Sequence, residues 1–188
     1  VVQRAMRGRF QREINEPIID KIDGAAVMQK RAAIELKLRG VGDDDIEAGR
    51  VFGEARYVEA AQKAADFLLT TVSKPDGRLL RTYRAGKAHL DAYLEDYAYL
   101  AEGLVDLYEA GGHERYLYEA VRLSERMLAD FLDAEHGGFF TTATGHEALI
   151  MRSREGPDGA TPSGNAVAAS VLARLSAHFA REDFRAAA

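Results

Sequence analysis

Cysteine is absent from this sequence of 188 residues. Without a thiol the chain has no disulfide, no thiolate metal ligand, no cysteine nucleophile and no CxxC redox pair. Long apolar runs are missing as well, since none approaches the ~20 residues that a membrane-spanning helix needs. The first 17 residues are basic but lack the apolar stretch of a secretory signal, so we expect a cytoplasmic protein.

Clustered positive charge is also missing. The chain has 25 Lys and Arg against 30 Asp and Glu, a net charge of -5, and its basic residues are scattered. Nucleic acid and anionic membrane surfaces are therefore not expected as partners. A hydrophobic fraction of 47% with 29% charged residues is typical of a globular domain that buries a sizeable core.

Helical periodicity dominates from about Ile46 onward and predicts an all-α fold. Apolar spacing favours helices over about 57–72, from near Asp91 to 108, over about 115–132, and after Thr161-Pro162 as cap and first residue. Residues 1–45 form an atypical N-terminal segment in which 25–38 is the expected helix. The predicted core comprises Phe67, Leu68, Leu100, Leu104, Leu128, Phe131, Leu172 and Leu175.

Internal repetition is the most informative pattern. The segment 53–57 recurs 59 residues later as 112–116, and the turn around Gly77 recurs 60 residues later around Gly137. Residues 181–184 begin a third copy. Each copy has the order helix, glycine turn, short extended piece, polar loop, helix. This unit is typical of a helical hairpin whose long polar loops lie at one end, so we expect a site at one rim.

Three segments, 88–110, 137–142 and 146–169, carry a family resemblance. They are similar to the C-terminal part of thioredoxin-domain proteins related to the spermatogenesis-associated protein. The resemblance implies an upstream thioredoxin-like domain and an (α/α)6 toroid related to six-hairpin glycosidases and N-acylglucosamine 2-epimerase. Residues 46–188 would then supply helical hairpins for about half of such a toroid, whereas the segment before them fits the family poorly.

The first polar loop contains the expected catalytic residues, which are His89, Asp91, Glu95 and Asp96. Asp91 and Glu95 are four residues apart and would share a face if the helix begins near Asp91. Paired carboxylates perform acid and base chemistry on glycosides, and a helix N-terminus favours their ionised form. The alternative is that these acids only cap the first helical turn. His89 is either a general acid or base or a hydrogen-bonded loop residue.

The second polar loop offers directed hydrogen bonds of the kind that bind sugar hydroxyls or carboxylates. The alternative is that Asp158 and Thr161 merely cap a turn and a helix. Neither loop has the histidine spacing of a metal site, and no cofactor is expected. With one tyrosine from the preceding helix, the expected substrate-binding residues are Tyr97, His146, Arg152, Asp158, Ser163 and Asn165.

Two functional hypotheses follow. The first is a carbohydrate-active toroid with hydrolase-like or epimerase-like chemistry on a sugar. The second is a non-catalytic binding or scaffold domain that accompanies a thioredoxin-like domain. Since an incomplete array of hairpins leaves apolar faces uncovered, self-association is a further expected partnership.

Overall fold

The computed structural model describes residues 55–111, 113–146, 151–154 and 161–188, and this part of the chain is helix-rich with one small two-stranded sheet. The predicted helix over 25–38, the whole segment 1–45 and Asp158 lie outside these ranges. Within them, no helix is long and apolar enough to cross a membrane. The elements are α1 (Ala55–Thr71), β1 (Leu80–Arg84), β2 (Lys87–Asp91), α2 (Leu94–Glu109), α3 (Glu114–Asp130), α4 (Gly164–Phe179) and α5 (Glu182–Ala187).

The β1–β2 hairpin corrects the predicted start of the second helix. The strands are antiparallel, with Leu80 opposite Asp91, and a two-residue turn at Ala85 and Gly86 joins them. Both turn residues have positive φ, 49° and 76°, as in the turns that match the twist of a tight hairpin. Because this turn folds the chain back onto β1, residues 87–91 form a strand, and α2 begins only at Leu94.

Side-chain oxygens define the beginnings of α2 and α4. At α2 the Asp96 carboxylate accepts a hydrogen bond from the Tyr93 N–H at 2.7 Å, the backward half of a capping box. At α4 the cap is Ser163, whose hydroxyl accepts from Ala166 N–H at 3.2 Å. The predicted cap at Thr161-Pro162 is therefore wrong by two residues, because the serine hydroxyl satisfies the free N–H of the first turn.

Helix α2 packs against α1, α3 and α4. It forms an antiparallel hairpin with α3 through the short connection 110–113. It runs parallel to α4, because the start of α4 touches the start of α2 while Arg174 pairs with Asp106 at 2.6 Å further along both helices. The close contact needs glycine, since a Cβ on Gly164 would lie 3.3 Å from the Glu95 backbone. The N-termini of α2 and α4 thus lie side by side at one rim.

The core forms where these helices meet. Leu68, Leu100, Leu104, Phe131, Leu172 and Leu175 are buried as predicted. Phe67 and Leu128 are only half-buried, so those two predictions are wrong. On α3 the buried stripe runs through Ala120, Leu123 and Met127, which turns Leu128 toward the edge of the core. Phe67 instead packs edge-on against Tyr83 of the hairpin, with ring centroids 5.2 Å apart.

The repeat seen in the sequence is also a repeat of hydrogen bonds. After α1, Leu80 N–H donates to Val72 C=O at 2.7 Å; after α3, Phe140 N–H donates to Phe131 C=O at 2.9 Å. Each bond closes a turn in which a glycine has positive φ, as the chain reversal requires. The two copies therefore share one local structure despite different side chains.

Ion pairs repeat in the same way. Arg115 at the start of α3 pairs with Asp66 of α1 at 2.6 Å, and Arg181 next to α5 pairs with Glu125 of α3 at 2.8 Å. The two acids are 59 residues apart in the sequence, which is the repeat length. Each successive copy is therefore joined to the one before it by the same contact.

Candidate functional site

A cleft opens at the rim where β2, the start of α2, the end of α3 and residues 143–146 meet. Its volume is about 120 Å³, which is small beside the roughly 300–1,000 Å³ of typical ligand pockets. The described residues therefore enclose part of a site rather than a deep cavity. The lining residues are Arg78, Leu79, Asp91, Ala92, Tyr97, Arg126, Asp130, Ala143, Thr144, Gly145 and His146.

Asp91 is the carboxylate of the first polar loop that reaches this cleft. Lys74 Nζ lies 2.6 Å from its Oδ1. The hydrogen bond from Lys74 holds the pKa of Asp91 below its ordinary value, and partial burial opposes that shift only in part. Positive charge on His146 acts in the same direction as Lys74. Asp91 is therefore ionised at neutral pH, which suits a base or an electrostatic stabiliser rather than an acid.

Tyr97 supplies a phenol from the first turns of α2. Its hydroxyl oxygen accepts a hydrogen bond from Leu79 N–H at 2.8 Å, and its ring packs on Phe131. Burial is the main cause that raises the pKa of Tyr97, so the phenol keeps its proton. Because the Leu79 N–H occupies the oxygen's acceptor side, the proton of Tyr97 is the part left to donate.

His146 reaches the cleft from the second polar loop. Thr141 C=O accepts from Leu94 N–H at 3.0 Å, which holds this loop against the start of α2. The His146 ring lies 5.5 Å from the ring of Tyr93. Asp91, Tyr97 and His146 were all selected from the sequence, and the structure brings these three together.

Glu95 and Asp96 lie behind the cleft rather than in it. Arg81 of β1 approaches both, with nitrogen–oxygen distances of 3.3 Å to Glu95 and 3.7 Å to Asp96. The predicted pairing of Asp91 and Glu95 on one helix face is wrong, because Asp91 lies in β2 and Glu95 in α2. His89 is an exposed residue of β2 opposite Thr82 and does not line the cleft.

Three residues expected to bind substrate make contacts that hold the second loop together. Arg152 donates hydrogen bonds to two backbone carbonyls, Asp130 at 3.0 Å and Thr142, and burial lowers its pKa. Asn165 pairs with both backbone groups of Phe139, at 2.8 Å to N–H and 3.0 Å to C=O. The third, Ser163, caps α4.

The sequence pattern did not single out Lys74, Arg126 or Asp130. Lys74 precedes the turn Pro75-Asp76-Gly77, and the other two lie one turn apart at the end of α3. The available signal was the placement of these charges at the loop end of two repeat helices. In the described ranges, no three His, Asp or Glu side chains are grouped so as to hold a metal ion.

Fold and site together define a protein of repeated helical hairpins with a polar cleft at one rim. Its sequence is homologous to part of spermatogenesis-associated protein 20: it is 35% identical to the Homo sapiens protein over 72% of this chain and 19% of that protein. The Rattus norvegicus protein is 37% identical over 68% of the chain and 18% of its own length. An uncharacterized Caenorhabditis elegans protein is 28% identical over 74% of the chain and 20% of its length.

These matches cover most of the chain but little of the relatives. The chain spans about a fifth of the length of each of them. No family model matches the chain.

Proposed function

We propose that this chain forms part of an (α/α) toroid whose rim binds a sugar and performs hydrolase-like or epimerase-like chemistry on it, in the cytoplasm. One observation carries the proposal: Asp91 and Tyr97 of one repeat and His146 of the next line the same cleft. Loops that only connected helices would have no reason to direct a carboxylate, a phenol and an imidazole to one point. Long polar loops are often functional for this reason.

The helix arrangement supports the toroid. In such a fold the inner helices run parallel to one another, and each is antiparallel to the outer helix of its hairpin. Helices α2 and α4 are parallel neighbours, and α2 and α3 form an antiparallel hairpin. This order brings the polar loops to the same rim, where a central ligand would lie.

The chemistry of the cleft suits proton transfer on a polyhydroxylated ligand. Asp91 is an ionised acceptor, Tyr97 is a protonated donor, and His146 can exchange a proton near neutral pH. Cleavage of a glycosidic bond needs an acid and a carboxylate, and epimerisation needs proton removal and return. Both reaction classes use the groups present, so the proposal covers both.

The test is a ligand-observed NMR screen of the purified chain against neutral sugars, amino sugars, sugar acids and sugar phosphates. We expect binding that is lost in His146→Ala and retained in His89→Ala. This pair is matched, because both variants remove one histidine near the rim but only His146 lines the cleft. Absence of binding by every sugar, or an equal loss in both variants, would refute the proposal.

A non-catalytic scaffold that serves a thioredoxin-like domain is the second candidate. It is favoured by the number of expected site residues whose hydrogen bonds are structural, namely Asp96, Arg152, Ser163 and Asn165. If the scaffold hypothesis holds, a thioredoxin-like domain supplied in trans should bind the chain, and Asp91→Asn should leave that binding unchanged. Loss of partner binding in Asp91→Asn would instead assign the partner to the cleft.

A further inference from the structure

We propose that the cleft recognises an anionic oxygen group of its ligand, the carboxylate of a sugar acid or the phosphate of a sugar phosphate, through Arg126 and Tyr97. This inference rests on the proposed sugar site and narrows its substrate class. It assigns a role to Arg126, which belongs to the lining of the cleft but not to the residues selected from the sequence.

The hydrogen bonds of Arg126 distinguish it from the arginines around it. Its Nε lies 3.3 Å from Asp130 Oδ2 and is buried, yet the side chain donates no hydrogen bond to any described residue. Arg78, by contrast, donates to Asp76 at 2.7 Å, and Arg122 donates to Glu119 at 2.7 Å. A guanidinium has five N–H donors in a fixed plane that matches carboxylate and phosphate oxygens. Arg126 therefore lines the cleft with donors to spare.

The phenol of Tyr97 adds a neutral donor beside this cation. Both side chains line the cleft, and the charge of Arg126 is close enough to lower the pKa of Tyr97 against the stronger effect of burial. Since the Tyr97 oxygen already accepts from Leu79 N–H, its remaining interaction with a ligand is donation. An acceptor-rich, negatively charged group satisfies both residues at once.

The carboxylates of the cleft do not cancel this preference. Asp91 is paired with Lys74 at 2.6 Å, so its charge is balanced from outside the lining. Asp130 balances Arg126 only through one contact of 3.3 Å. His146 adds positive charge when it is protonated. The local balance at Arg126 thus favours an anion over a neutral hydroxyl group.

The experiment compares Arg126→Met with Arg122→Met. Both residues lie on α3, each has one ion pair with an acid three or four residues away, and only Arg126 lines the cleft. The probes are glucuronate, glucose 6-phosphate, glucose and inorganic phosphate, titrated by protein-observed NMR on the full chain. The melting temperature of each variant verifies that it is folded.

We expect at least one anionic sugar to bind about tenfold or more tightly than glucose, since a charge-assisted hydrogen bond is gained. Arg126→Met should remove that advantage, and Arg122→Met should keep it. Preference for glucuronate identifies a carboxylate as the recognised group, and preference for glucose 6-phosphate identifies a phosphate.

Equal binding of glucose and the anionic sugars, or equal effects of the two variants, would overturn the anion subsite while the sugar proposal stands. Binding of inorganic phosphate that depends on Arg126, without binding of any sugar, would keep the subsite and refute the sugar proposal. If no probe binds, both are refuted.

Discussion

Asn165 provides the sharpest test of whether a polar residue of the second loop binds substrate or holds the fold. Its amide accepts from Phe139 N–H and donates to Phe139 C=O, so it replaces the neighbouring strand that this extended residue lacks. Phe139 is 1% exposed. Asn165→Ala leaves two backbone groups without partners, and each unpaired group costs about 1–3 kcal/mol where water cannot reach it. We expect a loss of about 2–4 kcal/mol in the free energy of unfolding.

Asn165→Asp separates the two hydrogen bonds. A protonated carboxyl can make both, whereas a carboxylate keeps the contact with N–H and loses the donor to C=O. The pKa of the introduced carboxyl should therefore be higher in the folded state than its unfolded value of about 3.9. Its stability should approach that of the parent below that value, and the deficit should grow as pH rises toward the folded pKa.

The assay is urea unfolding followed by circular dichroism at several pH values from about 4 to 8. Parent, Asn165→Ala and Asn165→Asp are compared at each pH. A loss under about 0.5 kcal/mol for Asn165→Ala would show that Phe139 is not held by this amide. It would return Asn165 to the substrate-binding residues, where the sequence analysis put it. A pH-independent deficit for Asn165→Asp would contradict the assigned donor.

Three further predictions test the core, the cleft and the hairpin. Leu104→Ala should cost about 2–5 kcal/mol in urea unfolding, and Leu128→Ala clearly less, because only Leu104 is fully buried; equal costs would contradict the packing of α3. Lys74→Met should raise the pKa of Asp91 toward about 3.9 in a carboxyl NMR titration, and it should remove a stabilising contribution that the parent has above that value and loses as pH falls through the lowered pKa; an unchanged pKa would exclude the Lys74 contact. Leu90→Gly should raise the free energy of unfolding by about 0.5–1 kcal/mol, because this exposed leucine has a φ of 59°; destabilisation would show that its side chain is needed.

The helices could be predicted because their apolar spacing is regular and their caps use ordinary chemistry. Leu100 and Leu104 are buried where the period puts them. The β1–β2 hairpin was missed because its turn is Ala85-Gly86 rather than Asn-Gly or Asp-Gly. A left-handed alanine gives no sequence signal, and without it residues 87–91 look like the approach to a helix.

Convergence of the loops could also be predicted, because equal repeats bring equivalent ends to one rim. The partners of the site residues could not. Lys74 reaches Asp91 across 17 residues, and Asn165 reaches Phe139 across 26. Such pairs depend on the path of the hairpin and the second loop, which periodicity does not determine. The sequence therefore selected the correct region but assigned chemistry to several residues whose observed contacts are structural.

The two copies show how a site can arise from a repeated scaffold. Their shared features, the turn hydrogen bonds and the ion pairs between copies, stabilise each hairpin and its neighbour. The cleft residues are the positions at which the copies differ. Counted from the helix caps, Tyr97 of α2 corresponds to the buried Val167 of α4, and in the turns Lys74 corresponds to Asp133. Since the common residues already account for the fold, the divergent ones were free to acquire chemistry, and in the described part of the chain they meet at this cleft.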